Sequence, residues 1–256
     1  MKKFFGLLLI TALFSLTGCL EIVRNISINE NGSGTFETKI DMGEVFEMVR
    51  SMGQEQQLEE ARSKQVDSLI QIKDIVDKAT DLTAEEKKLI ANGNIRININ
   101  IDSNLFFTKA LIPFKAVTDI EKINILAQRF LSNTMDQVLD EGKGAENEEP
   151  AKNESLLGAT FDEYFIYTYT KNGIEKKLNK DKPVPTDTDE ATKAFQEMSA
   201  MGMDVKSTIV YNLPKPAKKV EGKNVVLSED KKKVTITSGL SDFIADPTAL
   251  EFKITY

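Results

Sequence analysis

The side chain with the clearest chemical use in this sequence is the thiol of Cys19, which is the only cysteine in the chain. Leu16, Thr17 and Gly18 come just before it, and the last two are small residues that let a peptidase approach the backbone closely. A free thiol is also the one side chain here that can accept a diacylglycerol group as a thioether. These residue types permit cleavage before Cys19 and modification of its sulfur.

The residues before Cys19 have the layout of a secretory signal peptide, with Lys2 and Lys3 as a positive head followed by an apolar run over residues 4–16. That run is thirteen residues long, whereas a membrane-spanning helix needs about 20. Two alternatives stay open: a retained anchor, and ordinary cleavage that leaves Cys19 with a free thiol. We predict a signal peptide over residues 1–18 and a single extracytoplasmic domain over residues 19–256.

The absence of histidine and tryptophan from the sequence narrows the chemistry further. Nucleophilic sites of the Ser-His-Asp and Cys-His kinds are excluded because their general base is missing. Lipidation would use the one cysteine, so we expect no disulfide, no Cys/His metal site and no cofactor. An enzyme built from this sequence would have to use carboxylates, lysine, serine, threonine or tyrosine.

Two groups of side chains with metal-binding chemistry have simpler explanations. Met198, Met201 and Met203 carry soft thioethers that suit Cu(I), but methionine commonly fills gaps in a core, and no histidine or cysteine lies nearby. Asp187 and Asp189 offer hard oxygens for calcium, but their segment lacks the glycine and the terminal glutamate of a calcium-binding loop. We therefore predict no metal site at either place.

An aromatic run over residues 161–169 supplies the candidate ligand-binding residues, Phe161, Phe165 and Tyr167. These rings share one face of a predicted strand, whereas Tyr164 and Ile166 take the other face. Two apolar faces indicate either a central strand packed on both sides or a strand with one face lining a cavity. Ligand sites are mostly apolar and concave, so the second alternative predicts a cavity near these rings that takes up an acyl chain or a similar group.

The charge balance limits the partners of the mature chain. Removal of residues 1–18 takes away Lys2 and Lys3 and shifts the formal net charge from −7 to −9. Nucleic acids and anionic lipid surfaces bind through clusters of lysine and arginine. We therefore expect no nucleic-acid partner, and membrane attachment through the lipid rather than through surface charge.

The pattern of apolar residues predicts strands on both sides of helical blocks. A strand over 20–28, a turn at 31–34 and a strand over 35–40 are followed by a helical stripe from 58 to 79. Thr83 and Glu86 have the spacing of a capping box. The segment 95–101 is predicted as a strictly alternating strand, and the segment 120–139 as a helix that follows an aspartate cap. Further strands are predicted over residues 161–169, 174–178, 205–213, 224–227, 234–237 and 250–256.

This order of elements predicts an α+β fold, a mostly antiparallel sheet with helices packed on one face, after a cleaved signal peptide. The segment 141–155 contains no large apolar residue, so it cannot contribute to a core, and we predict a mobile loop there.

The four residues Leu16-Thr17-Gly18-Cys19 resemble the lipobox of bacterial lipoproteins, in which the cysteine is lipidated and becomes the mature N-terminus. Beyond the leader, the chain is similar to LppM-like lipoproteins in four short features, which are the turn 31–34, the strand and proline over 209–214, Gly222, and the strand over 233–237. This resemblance implies an α+β module of the cell envelope that can hold an apolar or lipid ligand. It transfers no binding residue to this chain.

Taken together, these patterns predict a lipoprotein of the bacterial cell envelope, tethered by acyl chains such as palmitate and facing the periplasm or the exterior. We expect a non-catalytic binding or envelope-scaffold module whose partners are the membrane and an apolar ligand or an envelope protein. The alternative is an envelope enzyme that depends on carboxylates or on a Ser-Lys pair.

Overall fold

The computed structural model describes most of residues 19–256, and within that part it shows the predicted α+β architecture. The described residues are 19–51, 53, 65–77, 79–80, 82–140, 161–184, 193 and 204–256. The predicted signal peptide, the predicted mobile loop over 141–155 and the methionine and aspartate groups near residues 187–203 lie outside them. The described residues form two β-sheets, whereas we expected a single sheet.

The larger sheet has eight strands in the order β10-β11-β8-β1-β2-β5-β4-β3. Strands β1 and β8 run parallel, with Cys19 opposite Asp204, and the other neighbours are antiparallel. The strands are β1 (Cys19–Ile28), β2 (Gly34–Asp41), β3 (Val66–Gln71), β4 (Asn94–Asn100), β5 (Leu105–Phe114), β8 (Asp204–Asn212), β10 (Val225–Leu227) and β11 (Lys233–Gly239).

One face of this sheet is the core face. Alternate residues of β1 are buried, and the pairing places Ile22 opposite Ile40 and Ile26 opposite Phe36, so buried side chains continue from strand to strand. The predicted alternation of Ile95 and the isoleucines that follow it is confirmed in β4. The opposite face of the sheet, which we call the outer face, carries charged pairs such as Lys109 Nζ with Glu37 Oε2 at 3.1 Å.

Helices cover the core face. The longest, α4, buries a stripe of apolar side chains against β2 and β5, including Ile120, Ile123 and Leu131. The predicted capping box at α3 is confirmed: the Thr83 hydroxyl accepts the Glu86 amide and the Glu86 carboxylate accepts the Thr83 amide. The α-helices are α1 (Gly43–Ser51), α2 (Ile72–Val76), α3 (Ala84–Ile90), α4 (Ile120–Asp140) and α5 (Leu240–Ala245).

The predicted helix through residues 66–79 is wrong in its described part. Residues Val66–Gln71 form the edge strand β3, and only Ile72–Val76 turn as a helix. Val66, Leu69 and Ile72 are spaced by three residues, which fits a helix, but pairing with the strongly alternating β4 outweighs that local pattern. Leu69 is consequently exposed at the sheet edge rather than buried.

The second sheet has four antiparallel strands in the order β6-β7-β12-β9. The strand predicted over residues 250–256 is confirmed and is paired on both sides in this sheet, whereas the aromatic strand β6 lies at the edge rather than in the centre. The strands are β6 (Phe165–Thr170), β7 (Gly173–Leu178), β9 (Lys219–Gly222) and β12 (Phe252–Thr255). Buried apolar side chains of both sheets form one continuous core.

The start of β2 requires a glycine because the chain comes very close to two neighbours there. A Cβ atom placed on Gly34 would lie 1.9 Å from the Ser27 carbonyl oxygen and 2.5 Å from the ring of Phe114. The turn before it, between β1 and β2, is closed by the Asn29 amide donating to the Ser33 carbonyl, and Gly32 has a φ of +83°. The hairpin thus depends on glycine both for conformation and for space.

Candidate functional site

Three charged side chains meet in the interior between the two sheets. Arg24 is 3% exposed, Lys176 is 5% exposed and Asp162 is 12% exposed. Charged groups are rarely this buried unless they are paired, because removing a charge from water costs free energy. We call Arg24, Asp162 and Lys176 the charged cluster and take it as the candidate functional site.

Ordinary strand geometry places the two cations in the interior. Arg24 lies on the core face of β1 between Ile22 and Ile26, and Lys176 lies in β7 two residues after the buried Ile174. Side chains of a strand alternate between its two faces, so a charged residue two positions away from a buried apolar residue also points inward. Each sheet therefore contributes one cation to the same interior space.

Asp162 reaches that space from a short 3-10 helix, Phe161–Tyr164, which leads into β6. One carboxylate oxygen accepts the Tyr167 hydroxyl at 2.7 Å and lies 3.3 Å from Lys176 Nζ. The other oxygen forms a salt bridge with Arg24 and accepts an amide hydrogen bond from Gln128 of α4 at 3.4 Å. The single carboxylate thus joins groups from β1, α4, β6 and β7.

Aromatic rings surround the charges. Lys176 Nζ lies 4.2 Å from the ring centroid of Phe165 and 5.2 Å from that of Tyr167, which are cation–π distances. The Tyr167 ring stacks on Tyr169 at 6.0 Å, and the Tyr169 and Tyr211 hydroxyl oxygens are 3.2 Å apart. Because Tyr211 belongs to β8, this row of tyrosines also links the two sheets.

The surroundings shift the pKa of each of these groups from its ordinary value. Burial raises the pKa of Asp162, but the nearby Arg24 and Lys176 charges outweigh burial and hold that pKa well below its usual range. Burial and the neighbouring carboxylate raise the pKa of Tyr167 well above its ordinary value. Burial lowers the pKa of Lys176, while Asp162 opposes that change. Asp162 is therefore an anion and Tyr167 a neutral donor.

The charges of the cluster do not balance among the described residues, where two cations face one carboxylate. Burial disfavours the charged form of Arg24, but Asp162 and the tyrosines more than compensate and raise its pKa. Its Nε atom is buried and has no hydrogen-bond partner in that part of the chain. The interior disfavours the charged form of Lys176 more than that of Arg24, since the pKa of Lys176 is lowered whereas the pKa of Arg24 is raised.

The structure brings together two of the three predicted ligand-binding residues. Phe165 and Tyr167 are both buried on the inward face of β6, beside the charged cluster. The side chain of Phe161 lies outside the described residues. Cys19, the predicted lipidation site, is separate from this cluster and is the first residue of β1.

Sequence reasoning missed the charged cluster itself. The available signal was a cation at an alternating position inside an apolar strand face, as Arg24 is between Ile22 and Ile26 and Lys176 is between Ile174 and Leu178. A charged residue at such a position is more commonly interpreted as the end of a strand or as part of an edge strand. Its burial here indicates that a counter-charge had to come from elsewhere in the chain, and only the fold identifies it as Asp162.

Among the residues that the structure describes, no group of three or more acidic, histidine or cysteine side chains is arranged to hold a metal ion. None of the helices in that part of the chain combines the length and the apolar character that crossing a membrane requires.

Comparison with known proteins gives little further information. No protein-family model matches the chain, and no curated protein matches it. Among solved structures, the chain is similar to the NMR structure of the folded domain of the LppM protein of Mycobacterium tuberculosis. The aligned part covers 96% of this chain and 94% of the LppM chain. The identity is 8% and the TM-score is 0.34, and a likeness of that degree establishes neither a shared fold nor a shared function.

We predict that Asp162→Asn destabilises the protein strongly, because it leaves Arg24 and Lys176 buried without a counter-charge. Breaking a buried pair in this way costs about 3–5 kcal/mol of unfolding free energy. The matched control is Asp67→Asn, since Asp67 pairs with Arg96 at the surface and exposed pairs contribute little. Urea unfolding of both variants measures the difference, and equal midpoints for the two would show that the charged cluster is solvated.

The lowered pKa of Asp162 predicts a specific loss of stability in acid. The unfolded chain binds a proton on this carboxyl near its ordinary value of 3.8, while the folded protein resists protonation until lower pH. The stabilisation is therefore present above that value and is lost as the pH falls through the folded pKa. Unfolding free energies measured from neutral pH downward should fall more steeply for the wild type than for Asp162→Asn, and parallel curves would contradict the assignment.

Proposed function

We propose that this protein is a lipid-anchored module of the bacterial cell envelope that works by binding or scaffolding rather than by catalysis. The observation that carries the proposal is the leader, which ends in Leu16-Thr17-Gly18-Cys19 with the only cysteine of the chain. Two or more acyl chains on Cys19 give stable membrane attachment, since each buried methylene contributes about 0.8 kcal/mol.

The position of the first strand supports this proposal. The ladders of β1 begin at Cys19, which pairs with Asp204 of β8, and Glu21 pairs with Asp41 of β2. Cleavage before Cys19 would therefore remove no residue of β1. A domain that starts at the modified residue is compatible with processing at that point.

The charged cluster favours a non-catalytic role. A general acid or base works best when its pKa lies near the operating pH, whereas the pKa of Asp162 is held far below neutrality and that of Tyr167 far above it. Lys176 is the one member whose pKa moves toward neutrality. Its described contacts are Asp162 and two aromatic rings, so the serine of a Ser-Lys site is not among them.

The anchoring proposal predicts that Cys19→Ala releases the protein from the membrane fraction or stalls its processing, because no other thiol can accept the lipid. The measurement is fractionation together with incorporation of labelled palmitate. Ser15→Ala, a change in the leader outside the four-residue motif, is the matched control and should keep both the label and the membrane location. Normal lipid labelling of Cys19→Ala would contradict the proposal.

We further propose that the binding function concerns an apolar group, such as an acyl chain, taken up beside Phe161, Phe165 and Tyr167. The two described rings offer a buried apolar surface next to Lys176, a cation that suits the polar end of such a molecule. They already contact other rings: Phe165 lies 6.1 Å from Phe243, and Tyr167 lies 6.4 Å from Phe252. Uptake would therefore require these rings to separate.

This ligand hypothesis predicts that the soluble Cys19→Ala protein, which carries no acyl chain of its own, co-purifies with an apolar molecule detectable by mass spectrometry after solvent extraction. Phe165→Ala should reduce the recovered amount. Ile166→Ala is the matched control because Ile166 is the next residue of β6 and is 49% exposed on the other face. An empty extract from the well-folded protein would leave only a scaffold or protein-partner role.

A further inference from the structure

The eight-stranded sheet leaves no spacer between Cys19 and the folded domain. Cys19 is itself the first residue of β1 and is aligned with Asp204 in the ladder. Many tethered domains are separated from their anchor by a flexible segment, whose reach grows with its length. Here the residue predicted to carry the lipid is also the first residue of β1, a strand that has neighbours on both sides.

From this arrangement we infer that the domain stands end-on at the bilayer, with the Cys19 end of the eight-stranded sheet in contact with the lipid headgroups and the turn between β1 and β2 directed away from them. This inference rests on the proposed lipidation of Cys19. It adds the orientation of the domain and the surface that faces the membrane, neither of which follows from lipidation alone.

The strand registers give the distance of individual residues from Cys19 along the strands. Lys206 of β8 lies opposite Glu21, two residues beyond Cys19, which places it about 7 Å along the strands from the anchor. Lys233 of β11 lies opposite Asn212, which in turn lies opposite Ser27, so it is about 26 Å along the strands from the anchor. Both lysines are exposed, and both lie on the outer face of the sheet.

The outer face itself is poorly suited to lie flat on lipid. It carries ion pairs between neighbouring strands, including Lys109 with Glu37 and Arg96 with Asp67. The exposed large apolar side chains among the described residues do not form one patch, because they are spread over four strands and two helices, namely at Leu69, Leu105, Ile125, Ile166, Val226, Leu227 and Ile244. A side-on contact would have to desolvate charges without burying a compensating apolar surface.

A pair of single-cysteine variants tests the orientation. Lipidation uses the only native thiol, so Lys206→Cys and Lys233→Cys each supply one site for a nitroxide spin label. The lipidated proteins are added to preformed phosphatidylcholine vesicles that contain a nickel-chelating lipid. Because paramagnetic relaxation falls steeply with distance, we expect the label at 206 to relax several-fold more strongly than the label at 233.

A linker variant is the control for the geometry. Insertion of ten glycine and serine residues between Cys19 and Leu20 gives a tether with a reach of roughly 17 Å, and it should remove most of the difference between the two labels. Equal relaxation at 206 and 233 without the insertion, in protein whose lipidation is verified by mass, would overturn the end-on orientation alone. Absence of lipid on the N-terminal peptide would overturn the proposed function and this inference with it.

Discussion

The joining of the two sheets depends on the buried carboxylate of Asp162. It provides the counter-charge for Arg24 from the eight-stranded sheet and for Lys176 from the four-stranded sheet. Removing charges from water costs several kcal/mol per ion, on the order of what their mutual attraction returns, so a well-packed apolar group often stabilises a core equally well. The cluster constrains how the two sheets pack, because Asp162 contacts one cation from each of them.

This constraint extends into the register of the strands. A slip of β1 by one residue would move Ile22 and Ile26 to the outer face, and it would also withdraw Arg24 from Asp162. The hairpin to β2 disfavours the same slip independently, since a residue with a Cβ atom in the place of Gly34 would clash with the Ser27 carbonyl oxygen. Apolar burial, charge pairing and close backbone contact thus favour the same register of β1.

Sequence patterns were sufficient where the local signal and the fold agree. The alternation over residues 95–101, the capping box at Thr83 and the apolar face of β1 each reflect a preference that acts over a few residues, and each is present in the structure. Residues 66–71 were predicted wrongly because their identity as a strand depends on pairing with β4, a contact between segments almost thirty residues apart. The charged cluster escaped prediction for a related reason. Arg24 and Asp162 are far apart in the sequence, and no spacing within either segment indicates the other.

The parallel pairing of β1 with β8 has a consequence for how the protein is made. Residues 19–28 leave the ribosome early, yet one of the two neighbours of β1 consists of residues 204–212. In the second sheet, β7 likewise cannot gain its inner neighbour until residues 252–255 are synthesised. Contacts between such distant parts of a chain form slowly, because the entropy of closing long loops must be overcome first. Until those residues are synthesised, one edge of β1 has no strand to pair with. Each sheet can therefore be completed only after a distant later segment has been made, rather than segment by segment as the chain emerges.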